Sequence, residues 1–374
     1  MNPENISQSD VISLIQMAVK KHHLGQWDEA ESIYRQILKT ENKNLNISRE
    51  YLGDLYNLVV LNFGDTLQKI GKLKEAIQIY QQALTVEPNF AEVHNNLGNI
   101  LEKRGQLEAA IECYQQALRI KPNLFYAYNN LGNVLKGQNK LEAAIAAFQQ
   151  ALKIEPKWAD AHYNLGTALN EQGQLEAAVA AFQEALKIQP DYAGAKFGIC
   201  MSQLPIIYSS FDEIQLKRNQ YQQHLQNLAD YYQAANPKER ASGAGAIGSL
   251  QPFYLAYQGF NDRPLQQIYG EMICQLMSSR YPQSCQPLSV PNLQANEKVR
   301  VGFLTGYFRQ HSCWKLMKGW IENLDRSEFE LFGYHTGSTQ DLETVKAAKA
   351  FDKFTQGSLS FQKWAEIVRQ DKLH

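Results

Sequence analysis

Residues 71–88 read GKLKEAIQIYQQALTVEP, and the phrase returns as GQLEAAIECYQQALRIKP at 105–122, NKLEAAIAAFQQALKIEP at 139–156 and GQLEAAVAAFQEALKIQP at 173–190. Each copy begins 34 residues after the last. A looser copy, GQWDEAESIYRQILKTEN, begins at Gly25, 46 residues before Gly71, which implies a 12-residue insertion around 43–54. Ala110, Tyr114 and Ala117 fall on one stripe of a helix, and Pro122 stops that helix because it lacks an N–H and clashes with the preceding turn. Between copies lies a second helical phrase. Its Leu97, Gly98 and Leu101 recur as Leu131, Gly132, Leu135 and as Leu165, Gly166, Leu169. That spacing is a packing stripe, with glycine allowing close approach.

A helix pair repeated every 34 residues resembles the tetratricopeptide repeat. The fold class expected is mainly α: a tetratricopeptide α-solenoid, then a helical linker, then the start of an α/β Rossmann-like domain. Residues 9–204 form the array, of about five repeats and a partial one. Residues 191–204 resemble one more first helix, ended by Pro205. Residues 205–297 are cap and linker. A long helix at 211–235 closes the array, whose bare end would expose apolar surface. Residues 236–250, NPKERASGAGAIGSL, read as a linker or loop. The following aromatic-rich stretch is mostly helical, and 283–298 is a second connector broken by Pro287 and Pro291.

The first helices carry asparagine at one register: Asn62, Asn96, Asn130 and Asn164. Asn costs a helix roughly 0.6 kcal/mol relative to Ala. At 100° per residue Asn96 lies roughly 100° from Leu97 and 200° from Gly98, away from the packing stripe. One turn on lie Asp65, Asn99, Asn133 and Thr167. Two readings compete. One is a solvated polar face. The other is a peptide-binding groove of Asn62, Asn96, Asn99, Asn130, Asn133 and Asn164, since a carboxamide offers both donor and acceptor to a peptide backbone. A merely solvated face is served better by Glu, Lys or Gln, which are better helix formers. Asn95 recurs only as Asn129 before giving way to Tyr163, and has no comparable claim.

From residue 298 the pattern changes. VRVGFL (299–304) reads as a buried strand, CWKLMKGWIENL (313–324) as helix and FELFGYH (329–335) as strand. DLETVKAAKAF follows as helix, DKFTQG as a short strand and FQKWAEIVRQD as helix. Alternating strands and helices imply a parallel sheet. A parallel sheet needs more strands and both faces covered, so 298–374 reads as the incomplete opening of a larger domain.

Bulk properties exclude several classes. Net charge is −1 and the pI about 6.7, so no basic field argues for nucleic acid or anionic membrane. No run of about 18 apolar residues suggests a membrane span, and the N-terminus has no signal-peptide pattern. The five cysteines, Cys113, Cys200, Cys274, Cys285 and Cys313, form no CxxC pair. They read as buried reduced thiols of a cytoplasmic protein, not a zinc site or disulfide framework. His22, His23, His94, His162 and His224 fall on repeat or cap helices without metal spacing.

VRVGFLTGYFRQHSCWKLMKGWIENLDRSEFELFGYHTG (299–337) resembles the start of the catalytic region of the SPINDLY / O-linked N-acetylglucosaminyltransferase family. That family couples tetratricopeptide repeats to a GT-B glycosyltransferase. Its opening strand, small-residue turn, aromatic-Arg-x-His segment and helix match Val299–Leu304, Thr305-Gly306, Phe308-Arg309-Gln310-His311 and the helix from Cys313. Tyr307 stands where animal members often have Asp. The resemblance implies inverting, metal-independent transfer from a nucleotide-sugar, such as UDP-N-acetylglucosamine or GDP-fucose, to Ser or Thr hydroxyls. No cofactor is implied, the donor is held mainly by a second lobe that this chain lacks, and the repeats hold the acceptor polypeptide. His311 is the one catalytic residue carried over. It is placed at the carboxyl end of the first strand, the ligand side of an open parallel sheet. There it hydrogen-bonds the acceptor hydroxyl or the donor, or assists proton removal; the competing reading is a surface or loop-capping imidazole. Arg309 reads as a surface salt bridge before a phosphate ligand, and His335 as a ligand-side position without a role. Cys313 lacks a third orienting group for nucleophilic catalysis. The alternative function is a non-catalytic interaction scaffold. Residues 298–374 expressed alone are expected to show no cooperative urea transition; a sigmoidal unfolding curve overturns the incomplete-domain reading.

Overall fold

The computed structural model describes residues 8–39, 54–248, 252–285, 291–294 and 297–374. The insertion expected around 43–54 lies almost wholly outside the described residues, as does part of the second connector. Seventeen α-helices and a three-stranded parallel sheet are present among the described residues. Ten of the helices form five antiparallel pairs: Gln8–His23 with Trp27–Lys39, Asp54–Lys69 with Leu73–Val86, Ala91–Lys103 with Leu107–Ile120, Phe125–Gly137 with Leu141–Ile154, and Ala159–Glu171 with Leu175–Ile188.

Each pair turns at one residue in the left-handed region. Gly25, Gly71, Gly105 and Gly173 take φ of 72°, 80°, 74° and 84°, and Asn139 takes 59° in the repeat without glycine. Asn is one of the few other residues that visits this region without large cost. In every pair but the first, the helices meet at a second glycine. A Cβ on Gly98 would lie 2.6 Å from the Tyr114 ring, and Gly132 and Gly166 meet Phe148 and Phe182 in the same way. Tyr114, Phe148 and Phe182 are fully buried, flanked by buried Ala110, Ala144 and Ala178. In the first two pairs an ion cluster adds to this packing. Glu31 Oε1 lies 2.7 Å from Arg35 and 2.6 Å from Lys72, and Arg35 also reaches Glu75. Burial would push the Glu31 carboxyl up, but hydrogen bonds from Lys72 and Arg35 hold it below its ordinary pKa.

The short helix Ala193–Met201 continues the packing, with a Cβ on Gly198 meeting the Phe182 ring at 2.7 Å. Helix Phe211–Ala234, capped by Ser210 accepting from the Glu213 N–H, buries Tyr221, Leu225, Leu228 and Tyr232. The expected loop at 236–250 is instead mostly helix, Pro237–Ala246. Asn236 and Glu239 make a reciprocal capping box and Pro237 occupies the first turn, a strong start signal. Its small residues are a packing requirement, since a Cβ on Gly243 would lie 2.6 Å from the Tyr232 ring.

The chain divides into two compact units, Met1–Ile273 and Cys274–His374. The second holds β1 (Val299–Thr305), β2 (Phe329–His335) and β3 (Lys353–Gln356), all parallel, in the order β1-β2-β3. One face packs Phe308, Trp314, Ile321, Leu331, Ala347 and Phe351; the other packs Phe332 and Tyr334 against Trp364. β1 is less buried than its sequence implies: Leu304 is 57% exposed. It is an edge strand, and the cluster around Trp364 includes residues of β2 but none of β1.

The glycine contacts make a paired prediction. Gly98→Ala is expected to cost about 1–3 kcal/mol by overpacking, whereas Gly137→Ala, whose Cβ meets nothing within 4 Å, is expected to be neutral or to stabilise by up to about 1 kcal/mol. Urea midpoints check both, and equal shifts would refute the close-approach account.

Candidate functional site

The repeated asparagines share one face of the array. Asn62, Asn96, Asn130 and Asn164 are all half-buried, as are Asn99 and Asn133. Their amides are not simply solvated. Asn130 Nδ2 donates to Asn95 Oδ1 at 3.1 Å and to Asn99 Oδ1 at 2.9 Å, and Asn164 Nδ2 donates to Asn129 Oδ1 at 2.9 Å. Asn96 accepts from Asn95 at 3.2 Å and reaches Tyr80 Oη at 3.4 Å. Tyr114 Oη donates within 2.8 Å of Asn99 Oδ1 and 2.9 Å of Glu102 Oε2. Asn62 stands apart, bonding back to Leu58 O of its own helix, and Asn133 pairs with nothing among the described residues.

Asn95 and Asn129 therefore have a role that their broken recurrence concealed. They are 2% and 6% exposed, and each accepts from an asparagine 35 residues later. A buried carboxamide needs partners, because an unpaired buried polar group costs about 1–3 kcal/mol. The neighbouring repeat supplies them. At the row's other positions, Asp65 lies 3.3 Å from His22, and Thr167 accepts from Lys136 at 3.1 Å. Burial is the main cause lowering the His22 pKa; Asp65 opposes it.

In the second unit, His311 stands at the carboxyl end of β1, six residues past Thr305, and caps helix Ser312–Asn323. Its Nδ1 accepts from the Cys313 N–H at 3.2 Å. The cap therefore places the ring proton on Nε2. The ring stacks on Tyr307 with centroids 4.2 Å apart, and Arg309 lies 5.7 Å from the centroid of the same Tyr307 ring. The surface salt bridge expected of Arg309 does not form among the described residues; the guanidinium sits over the aromatic face instead. Cys313 contributes its backbone N–H to the cap. His335 is fully buried beneath Phe308, with Nε2 3.0 Å from Thr339 O, so it holds the loop after β2 and does not face ligand.

His311 opens on a cavity of about 550 Å³, also lined by Gln310, Trp314, Lys315, Lys318, Asp341, Leu342, Glu343 and Lys346. Gln310 donates its N–H at 2.8 Å to Asp341, the N-cap of helix Leu342–Lys349, which ties the loop before His311 to that cap and helps hold the Asp341 carboxyl below its usual range. Glu343 accepts from Trp314 Nε1 at 3.2 Å and pairs with Lys346 at 2.6 Å. Lys315 has no acidic partner among the described residues. The cavity thus gathers the His311 ring, the Trp314 indole, three lysines and the carboxylates of Asp341 and Glu343, a lining able to hydrogen-bond an oxygen-rich ligand.

Among the described residues, no group of three or more His, Cys, Asp or Glu is arranged to hold a metal ion, and no helix is long and apolar enough to cross a membrane. Cys113, Cys200, Cys274 and Cys313 are free thiols. Burial pushes Cys113 up to about 11 and Cys200 up to about 12, but Cys274 is exposed, contrary to the expectation of buried thiols throughout.

The TPR repeat family matches residues 64–105 and 98–139, and the tetratricopeptide repeat family matches 129–193. The chain carries tetratricopeptide repeats, modules that mediate protein–protein interaction. No curated protein matches the sequence. Among solved structures, a mutant of the Thermobaculum terrenum O-GlcNAc transferase is similar at 20% identity and a TM-score of 0.48, covering 76% of this chain and 44% of that one. The chain thus spans less than half the length of that protein. YrrB, a TPR protein with an unusual peptide-binding site, is 19% identical with a TM-score of 0.41, covering 50% of this chain and 91% of YrrB. MamA from Desulfovibrio magneticus RS-1 is 19% identical with a TM-score of 0.41, covering 48% and 97%.

The cap predicts a separation of two roles of His311. His311→Ala is expected to cost about 1 kcal/mol of stability, while His311→Asn, which caps the same N–H, is expected to stay within about 0.5 kcal/mol of the original chain. Urea unfolding measures this. Equal losses in both variants would show that stacking on Tyr307 matters and the cap does not.

Proposed function

We propose that the chain is the acceptor-binding part of a protein O-glycosyltransferase of the SPINDLY / O-linked N-acetylglucosaminyltransferase kind. In this reading Asn96, Asn99, Asn130, Asn133 and Asn164, with Asn62 at the margin, line a groove for an extended polypeptide. His311 belongs to the transfer centre. The observation that carries the reading is the position of His311. The family-like segment folds as strand, small-residue turn, loop and helix, and delivers this imidazole to the carboxyl end of β1, where open parallel sheets bind ligands. The strand order β3-β2-β1 is that of a mononucleotide-binding half.

The cap narrows the chemistry of His311. With Nδ1 occupied, Nε2 is a hydrogen-bond donor and has no lone pair to take a proton. It therefore positions an oxygen of the acceptor or of the sugar donor and does not act as the base. The family resemblance assigns the nucleotide-sugar mainly to a second lobe, so this chain's own residues act on the acceptor side.

A second reading, an interaction scaffold without chemistry, draws on the same observation, because capping and stacking on Tyr307 already give His311 a structural use. A peptide selected by display on the full chain, rich in Ser and Thr, separates the two. Asn96→Ala with Asn130→Ala is expected to weaken its binding about tenfold; unchanged affinity returns the row to a solvated face. The His311 ring resonance is expected to shift on adding the peptide with UDP-N-acetylglucosamine or GDP-fucose. A ring that never responds supports the scaffold.

A further inference from the structure

The first two helix pairs leave an apolar cavity of about 610 Å³ between helices Gln8–His23 and Asp54–Lys69. Its floor is buried Ile15, with half-buried Val19 and exposed Ile12 beside it. Leu55 and Leu58 form the opposite wall, and Leu58 is 40% exposed. At 100° per residue Ile15, Val19 and Ile12 fall within about 60° of one another, and His23, Gln16 and Lys20 follow within about the next 80°. One helix thus supplies an apolar strip and, along one side of it, a polar lip. From Ile12 to His23 the wall is about 16 Å long at 1.5 Å per residue. Near the lip, Lys21 is held by Glu29 at 2.6 Å, and His22 lies 3.3 Å from Asp65 and 2.9 Å from the Thr66 hydroxyl. Lys20 is exposed and has no acidic partner among the described residues.

We infer that this cavity seats an amphipathic helix of a partner protein, apolar along one stripe and acidic along the flank that meets Lys20. Two features select that occupant. The polar side chains of the lining, Gln16, Lys20 and His23, all stand on one lip. An extended strand laid against Ile15, Val19 and Leu58 would leave backbone N–H and C=O groups unpaired on apolar walls. A helix satisfies its own backbone and brings only an apolar stripe to the floor. The second feature is charge. With Lys21 paired to Glu29, Lys20 is left at the lip to meet a carboxylate from the partner. The site belongs to the head of the array, because Asp65, Asn99 and Asn133 stand in later repeats where the first has Val19. No asparagine lines it, so it stands apart from the peptide-groove reading.

The test uses the full chain and a displayed library of helical peptides of about four turns. Their positions i, i+3, i+4, i+7 and i+11 vary among Leu, Ile, Met and Phe, and one flank varies among Glu, Gln and Lys. Selected peptides are expected to carry Glu on that flank and to lose binding when a central outward residue becomes proline. Leu58→Glu, a change at an exposed position, is expected to weaken a selected peptide about tenfold or more with an unchanged urea midpoint. Lys20→Glu is expected to weaken the Glu-flanked peptide about threefold or more and to strengthen its Lys-flanked counterpart; it also serves if Leu58→Glu does not fold. Asn96→Ala with Asn130→Ala is expected to leave this binding unchanged, which keeps it distinct from the groove. Failure to select any helix, or indifference of a selected one to both Leu58→Glu and Lys20→Glu, overturns the inference. A binder that tolerates proline overturns it by making the occupant extended. A concentration-dependent dimer in sedimentation that Leu58→Glu dissociates, and that no selected peptide displaces, overturns it by giving the cavity to a second copy of this chain.

Discussion

The array depends on one contact: in every pair but the first, a glycine in the first helix lies against an aromatic ring in the second. At Gly98 and Tyr114, at Gly132 and Phe148, and at Gly166 and Phe182, there is no room for a Cβ. The contact brings the helices close enough to bury the alanine stripes beside the rings. It also sets the rotation of each first helix, and so decides which of its residues face outward. Whether the asparagines form a row at all is a consequence of this packing.

Once the row exists, the cost of burying amides governs its chemistry. Asn95 and Asn129 lie too deep to be left unpaired, and the nearest partners are the asparagines of the following repeat. Pairing across repeats then consumes donors and acceptors selectively. The row that emerges is not a set of equivalent amides: Asn130 offers oxygen, Asn99 offers nitrogen, and Asn62 bonds back into its own helix.

The α/β unit applies the same economy to His311. The loop after β1 ends in a helix whose first N–H groups need an acceptor, and the imidazole supplies it. The two readings that the sequence leaves open for His311, ligand contact and loop cap, are compatible, since they use different ring nitrogens. Nearby, the Tyr307 ring is in contact with both His311 and Arg309. Some features were illegible for identifiable reasons. The helix Pro237–Ala246 was hidden by a glycine- and alanine-rich composition, although Asn236, Pro237 and Glu239 carried a start signal. Asn95 was hidden because its own recurrence stops at Asn129, whereas its role comes from the asparagine of the next repeat that donates to it.

The 34-residue register, the helix pairs, the turn positions and the parallel strand–helix alternation were determined by the sequence alone. Each is a local property: a left-handed turn needs Gly or Asn, a helix needs one apolar stripe, and a strand needs a short apolar run. The orientation of the amides, the tautomer of His311, the exposure of Leu304 and the pairing of Arg309 were decided only by the tertiary structure. The amides and Leu304 depend on what distant stretches of chain supply or withhold, His311 and Arg309 on how the loop after β1 brings Cys313 and Tyr307 to them, and residue type by itself leaves every such choice open.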